Sequence, residues 1–374
     1  MKSPTSISDH QSILFDAARI IATFAVFLQH ATGEASLFDV KVTLLGRTVI
    51  PLFLIISGYM TAMAMARGGR FFPKLLRRYL KYYFIVIPAI FLMFAADLYL
   101  ISVQSPIVTQ DKFEAEHTVY TFVREAFQAL TYSGEYWRQT TVSQGLFGNV
   151  AYWTMDYIMA YVVLTMAFYL LSGPMRIFVL IAAALIAGPT VMLLSPLWFA
   201  GVLAYELHRR SREENPRWLT SHLFAWACVV IGLGLILVVE IKGVGETAYL
   251  ESKSWASYEY REHLGMAKRF VWQWLLVPGL FLILLASKYL LSDQPAPALR
   301  DRLRAAAFYT LPVYILHFNF VYLAQALIPD YDPSVGSIDP YLMIALSMGL
   351  TLGVSWGAIH FLQPRFDKVI AQLF

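Results

Sequence analysis

The chain has 374 residues, 58% of them hydrophobic and only 14% charged, and its mean hydropathy of +0.56 excludes an ordinary soluble domain. The net charge of +4 does not indicate a nucleic-acid partner, because the basic residues fall in loops between apolar runs and read as topology determinants. The one cysteine, Cys228, lies within the apolar run 225–239, which leaves no internal disulfide and no cysteine cluster for a metal.

About ten apolar runs are long enough, or nearly so, to cross a bilayer: 13–32, 43–66, 79–102, 147–171, 176–194, 196–208, 222–240, 270–290, 306–328 and 340–362. The expected fold is all-α, a polytopic membrane protein of about ten helices. The sixth run is short, opens at Ser195-Pro196, and reads as tilted or re-entrant. The stretches 104–144 and 241–269 are expected to be extracytoplasmic loops too small for an independent core, the first carrying an amphipathic surface helix around 119–130. No internal repeat or low-complexity tract is present, so residues 1–374 are read as a single transmembrane domain. Lys and Arg concentrate in alternate connections, after the second run (67–81), after the sixth (209–217) and before the ninth (288–304), which places both termini in the cytoplasm.

The first run carries Asp16, Arg19 and His30 in a segment otherwise apolar enough to span. A cleavable secretory signal would not hold such charges in its apolar region, so this is a permanent span. Ionisable residues inside a span are costly and usually functional. At about 100° per residue, Arg19 and His30 differ by only about 20° around the helix, and Asp16 lies within about 60° of both. The three share one face, with Arg19 and His30 roughly 16 Å apart along the axis. On the orientation above, Arg19 is the inner residue and His30 the outer one.

The exit from the second run is a dense basic patch without acids: Arg67, Arg70, Lys74, Arg77, Arg78 and Lys81, interrupted by Gly68, Gly69 and Pro73. Two readings stand side by side. The patch retains the chain's orientation and contacts anionic lipid, or its arginine forks and lysines clamp phosphate.

Several motifs occur in a fixed order. Phe15-Asp16-x-x-Arg19 opens the first span, and Arg19-(x)10-His30 runs through it. Ser57-Gly58-Tyr59, led by Phe53, precedes the basic exit. Trp198-Phe199-Ala200-Gly201-Val202-Leu203 opens the sixth run, and Tyr309-Thr310-Leu311-Pro312-Val313-Tyr314-Ile315-Leu316-His317 opens the ninth. Together, from about residue 12 to the last span, they resemble the family-3 membrane acyltransferases.

The resemblance implies a ten-helix enzyme of the bacterial inner membrane that moves an acyl group from cytoplasmic acyl-CoA to a hydroxyl of an extracytoplasmic or lipid-linked glycan. Acetyl-CoA is the expected donor, with succinyl-CoA as the alternative, and no metal is required. His30 is the expected general base, since imidazole titrates where a sugar hydroxyl can be relieved of its proton; a covalent acyl-histidine is the alternative. Asp156 and His317 are the other catalytic candidates, each weighed against a structural hydrogen bond. Asp16, Arg19, Arg67, Arg70, Lys74, Arg77 and Arg78 are the candidates for holding the CoA phosphates. Glu34, Ser57, Tyr59, Trp153 and Tyr314 are the candidates for the acceptor, although Glu34 also reads as a loop carboxylate and Ser57 and Tyr59 as packing residues. His360 reads as interfacial. Two departures bear on the acceptor. Asp156 stands near, but not at, the place where many members carry a glutamate after Trp-Ser-Leu, and Leu362-Gln363-Pro364 lacks the glutamate that often precedes proline. They suggest a branch acting on exopolysaccharide or periplasmic glucan. The expected partners are the glycan, acyl-CoA and membrane lipid, with no nucleic acid, and a homo-oligomer is left open. A transporter is the alternative class, but inverted repeats and paired broken spans are not found.

Overall fold

Every apolar run falls on a helix, as backbone groups in a hydrocarbon layer require. The computed structural model describes residues 9–32, 36–37, 40–41, 43–102, 119–137, 149–214, 221–241, 243–244, 247, 251, 267, 271–290, 297–327 and 339–374. Helix α1 (Asp9–Thr32) is followed by a short antiparallel pair, β1 (Ser36–Leu37) and β2 (Val40–Lys41), with Ser36 opposite Lys41. Next come α2 (Thr43–Met65), α3 (Phe71–Lys81), α4 (Tyr83–Ser102) and α5 (Val119–Thr131), and then α6 (Trp153–Leu170), α7 (Gly173–Met192), α8 (Ser195–Glu214) and α9 (His222–Ile241). The rest is α10 (Val277–Ala286), α11 (Pro297–Phe308), α12 (Thr310–Leu327), α13 (Asp339–Gly357) and α14 (Gln363–Leu373).

Among the described residues, five helices are long and apolar enough to cross a membrane, or up to seven when the bent pairs α3–α4 and α11–α12 each count as one span. Val49–Met65 and Val271–Ala286 are shorter apolar helices. The sixth run differs most from expectation. Helix α8 opens at Ser195 as predicted, but continues through Arg209, Arg210 and Arg212 to Glu214, so only its first part is apolar. The eighth run begins as a 3-10 segment, Val271–Leu276, before α10 takes over near Pro278. The last run passes through a π-helical turn, Ala358–Leu362, into α14. The surface helix of the first loop is present as α5. Apolar side chains such as Phe178 on α7 and Val230 on α9 are exposed, 68% and 67%, an arrangement that suits hydrocarbon and not water. The protein is an all-α polytopic membrane protein.

The chain divides into two compact units, each assembled from separate stretches. The first comprises Met1–Ala22, Thr48–Phe71 and Ala160–Ala307. In it α10 packs on α9 and α8, and α2 meets α8 at two glycines. A Cβ on Gly58 would run into the backbone carbonyl of Trp198, and one on Gly201 into that of Ile55. Ser57-Gly58 and Gly201 therefore occur where helix backbones touch, as small residues do in membrane bundles. Trp198 Nε1 donates to Thr165 Oγ1 at 2.9 Å.

The second unit comprises Thr23–Arg47, Phe72–Met159 and Phe308–Phe374. Its core joins Ile85, Ala89 and Met93 of α4 to Ile315, Leu316 and Phe320 of α12, with Tyr132, Tyr152 and Met155 closing one side. A smaller cluster sets Phe27 and Ala31 of α1 against Val321 and Ala324 of α12 and Met343 of α13. The four-residue spacing of Phe27 and Ala31 and the three-residue spacing of Val321 and Ala324 lay the end of α1 along one face of α12.

Candidate active site

The packing of Phe27 and Ala31 on α12 brings His30, between them, to His317. His30 Nδ1 and His317 Nε2 lie 2.8 Å apart. The rings are within 5° of parallel with centroids 5.1 Å apart, a separation equal to the hydrogen bond plus the two ring radii, so the bond runs in the plane of both rings. His317 is 1% exposed, and its Nδ1 faces two backbone carbonyls, Tyr314 O at 2.8 Å and Val313 O at 3.2 Å. Carbonyls only accept, so His317 Nδ1 carries the proton and its Nε2 carries the lone pair. His30 Nδ1 must then be the donor. The neutral pair is thereby fixed with the lone pair of His30 on Nε2, the atom turned away from His317. Phe318 stands edge-on to the His30 ring at 4.8 Å, and Phe27 to His317 at 6.1 Å.

The backbone that supplies these carbonyls is itself held. Asn149, wholly buried, donates from Nδ2 to Ile315 O at 2.7 Å and to Asn319 Oδ1 at 2.8 Å, while its Oδ1 accepts from Ala151 N at 3.0 Å. That last bond caps the 3-10 turn Val150–Tyr152 leading into α6. At the second residue of α6, the Thr154 side chain hydrogen-bonds Tyr314. Trp153 is buried with its ring edge-on to Tyr157 at 4.8 Å.

Asp156, 1% exposed, is placed with a different group of residues. Its Oδ2 accepts from Glu135 N at 3.0 Å, and Glu135 is itself 2% exposed. Tyr132 and Tyr136 lie within electrostatic reach of Asp156; burial first, then neighbouring phenols and this carboxylate, raise both phenols above their ordinary pKa. The structure thus gathers His30, His317 and Tyr314 at one point, with Trp153 on the neighbouring helix start, and sets Asp156 in an acidic, tyrosine-lined cluster. Glu34 lies outside the described residues.

The candidates for anion binding fall on several elements. On α1, Arg19 Nη1 and Asp16 Oδ1 are 3.8 Å apart, with side chains 35% and 15% exposed. Arg304 of α11 donates to Ser12 Oγ at 3.2 Å and lies within electrostatic reach of Asp16, so two guanidiniums attend one carboxylate. Arg67 and Arg70 are exposed on either side of the Gly68-Gly69 turn, whose φ values of 74° and 124° suit glycine. Lys74 and Arg78 are half-buried and Arg77 is exposed on α3; the Arg78 guanidinium sits over the Tyr82 ring at 5.4 Å.

Sequence reasoning missed a second histidine centre, in the first unit. His208, 1% exposed, directs Nε2 at Leu285 O, 2.9 Å away, which fixes the proton there. Tyr59 OH therefore donates to His208 Nδ1 at 2.9 Å, and Gln11 Nε2 donates to Tyr59 OH at 3.0 Å and to Ser287 Oγ at 3.1 Å. Lys288 Nζ donates to His208 O at 3.1 Å and to Ser211 Oγ at 2.8 Å. Tyr59, a candidate for the acceptor, is spent in this network. Ser57 is half-buried one residue before the α2–α8 contact. The only hint of His208 in the sequence was its place ahead of the Arg209-Arg210 run, which reads as loop charge. Among the described residues no group of three His, Cys, Asp or Glu comes together as a metal site.

A bundle of apolar helices in which two histidines meet at 2.8 Å defines a membrane protein with a polar centre inside it. Residues 13–360 match the acyltransferase domain of the acyltransferase-3 family. The chain belongs to that family and is a membrane acyltransferase. No curated protein and no solved structure matches the chain.

Proposed function

We propose that this protein is an acyl-CoA-dependent O-acyltransferase in which His30 Nε2 is the general base. The observation that carries this reading is the His30–His317 hydrogen bond, whose direction is set by the carbonyls of Val313 and Tyr314. The acceptor hydroxyl oxygen attacks the thioester carbonyl while His30 Nε2 takes the hydroxyl proton. The resulting imidazolium keeps its Nδ1–H on His317 Nε2, a charge-assisted bond stronger than the neutral one before it. Collapse of the tetrahedral adduct breaks the carbon–sulfur bond, and the proton on His30 goes to the departing thiolate, giving free CoA and neutral histidine. His317 is a positioning residue in this scheme.

The donor is proposed to be acetyl-CoA, with succinyl-CoA second, its phosphates met by cations among Arg19, Arg67, Arg70, Lys74 and Arg78, with Asp16 orienting Arg19. The acceptor is proposed to be a glycan of exopolysaccharide or periplasmic-glucan type at a bacterial inner membrane. The test is His30→Ala in purified, folded protein, assayed by CoA release in the presence of cell-surface glycan. General-base removal lowers turnover by about 100- to 10,000-fold; wild-type turnover would end the proposal. Mass spectrometry of surface glycans from a deletion strain identifies donor and acceptor together through the missing acyl mass.

A further inference from the structure

We propose that α3 is a docking surface for the headgroups of anionic phospholipid, with Arg77 and Lys81 as the residues that meet the lipid phosphate. Helix α3 departs by 42° from the axis of α4, the apolar helix it precedes, so it does not simply extend the span. Its residues sort by face. Phe71 is buried and Tyr79 packs edge-on to Tyr132 at 5.2 Å, which fixes the inward side. Phe72 and Leu76, one turn apart, are exposed by 75% and 52%. About 140° around the helix from that apolar stripe, Arg77 and Lys81 form an exposed basic stripe, also one turn apart. No acidic residue occurs between Arg67 and Tyr82, and no ion pair to Arg77 or Lys81 is found among the described residues.

Two large apolar side chains at one edge of the exposed face and two cations at the other, on a helix turned away from its span, fit the boundary between acyl chains and headgroups. The apolar stripe enters the chains while the cations reach phosphate. Soluble phosphate compounds would account for the cations but not for Phe72 and Leu76, which would then lie in water. Arg78, half-buried with its guanidinium over Tyr82, is not part of the exposed stripe and remains a candidate for the donor. The proposal does not rest on the acyl-transfer reading.

The single cysteine makes the test direct. In a Cys228→Ser background, Leu76→Cys carries a fluorophore, and the full chain is placed in phosphatidylcholine bilayers containing brominated phosphatidylglycerol or brominated phosphatidylcholine at equal mole fraction. A Lys or Arg near an anionic surface favours association by about fivefold, and two by about thirtyfold. The expected result is quenching by the brominated phosphatidylglycerol at a several-fold lower mole fraction, with the preference lost in Arg77→Gln/Lys81→Gln. Equal quenching by the two lipids in the unaltered helix, or quenching by neither, overturns the proposal. So does a preference abolished by millimolar coenzyme A, which would give these cations to a soluble phosphate. Native mass spectrometry of unlabelled protein provides a second reading: fewer retained phosphatidylglycerol molecules in Arg77→Gln/Lys81→Gln than in the parent. Equal retention contradicts the proposal.

Discussion

Replacing His317 by alanine isolates the contribution of the histidine pair. The substitution leaves His30, Phe27 and Phe318 in place but removes the acceptor 2.8 Å from His30 Nδ1. In the mechanism proposed above, that bond joins neutral groups in the ground state and an imidazolium to a buried acceptor once His30 has taken the substrate proton. A hydrogen bond to a charged group contributes about 1.5–3 kcal/mol, which corresponds to a fall in kcat of about 10- to 150-fold. The loss should appear in kcat and not in the KM for acyl-CoA, because it arises after the donor is bound. His317→Gln supplies an amide oxygen in place of the ring nitrogen and should recover part of the loss. CoA release can be followed with a thiol reagent, since Cys228 is 3% exposed. A His317→Ala protein that is folded and within twofold of wild-type kcat, or one whose defect is confined to KM, would refute the reasoning.

Asn149→Ala removes the donor shared by Ile315 O and Asn319 Oδ1 and the cap on Ala151; it should destabilise the protein by about 1–3 kcal/mol, read as a lower thermal midpoint in detergent. Gly201→Ala drives a methyl into the Ile55 carbonyl and should cost about 1–3 kcal/mol or more, since a backbone must move; an unchanged midpoint would mean that α2 and α8 do not touch there. Prolonged chelation should leave acyl transfer intact, and its loss would require a metal ligand set beyond the described residues.

The helices and their order could be read from the sequence, because apolar run length is a local signal; Ser57-Gly58 marked a close helix approach, but its partner, α8 at Gly201, was not legible, since nothing local to Gly58 names the helix it meets. The partnership of His30 with His317 was only half legible. Both residues stood out as ionisable groups in spans, but their contact joins positions 287 apart, and no local pattern carries that distance or the tautomer it fixes. Asp156 shows the opposite limit. Its cost in an apolar run called for a partner, and the structure supplies the backbone N–H of Glu135, on a turn after α5 that has no periodicity of its own. Arg304 was counted as one more loop cation, since nothing in Arg300-x-Arg302-x-Arg304 marks which of the three reaches α1. The break before α4 was missed because the third run was opened at Tyr79, inside α3, where aromatic residues flank Lys81 on both sides of the bend.

The two histidine centres are built by the same device and differ in what faces the lone pair. In each, a backbone carbonyl takes the proton of one ring nitrogen, Tyr314 O at 2.8 Å for His317 and Leu285 O at 2.9 Å for His208. The other nitrogen of His208 accepts from the Tyr59 phenol at 2.9 Å. With Gln11 donating to both Tyr59 OH and Ser287 Oγ, that bond is one strand of a closed network and makes a structural tie. The other nitrogen of His317 accepts from a second imidazole. The two rings are joined at 2.8 Å, with His317 1% exposed and His30 the partly exposed member of the pair. The same geometry therefore ties His208 into a structural network, while in the pair it directs the lone pair of His30 to Nε2, the atom proposed above as the base.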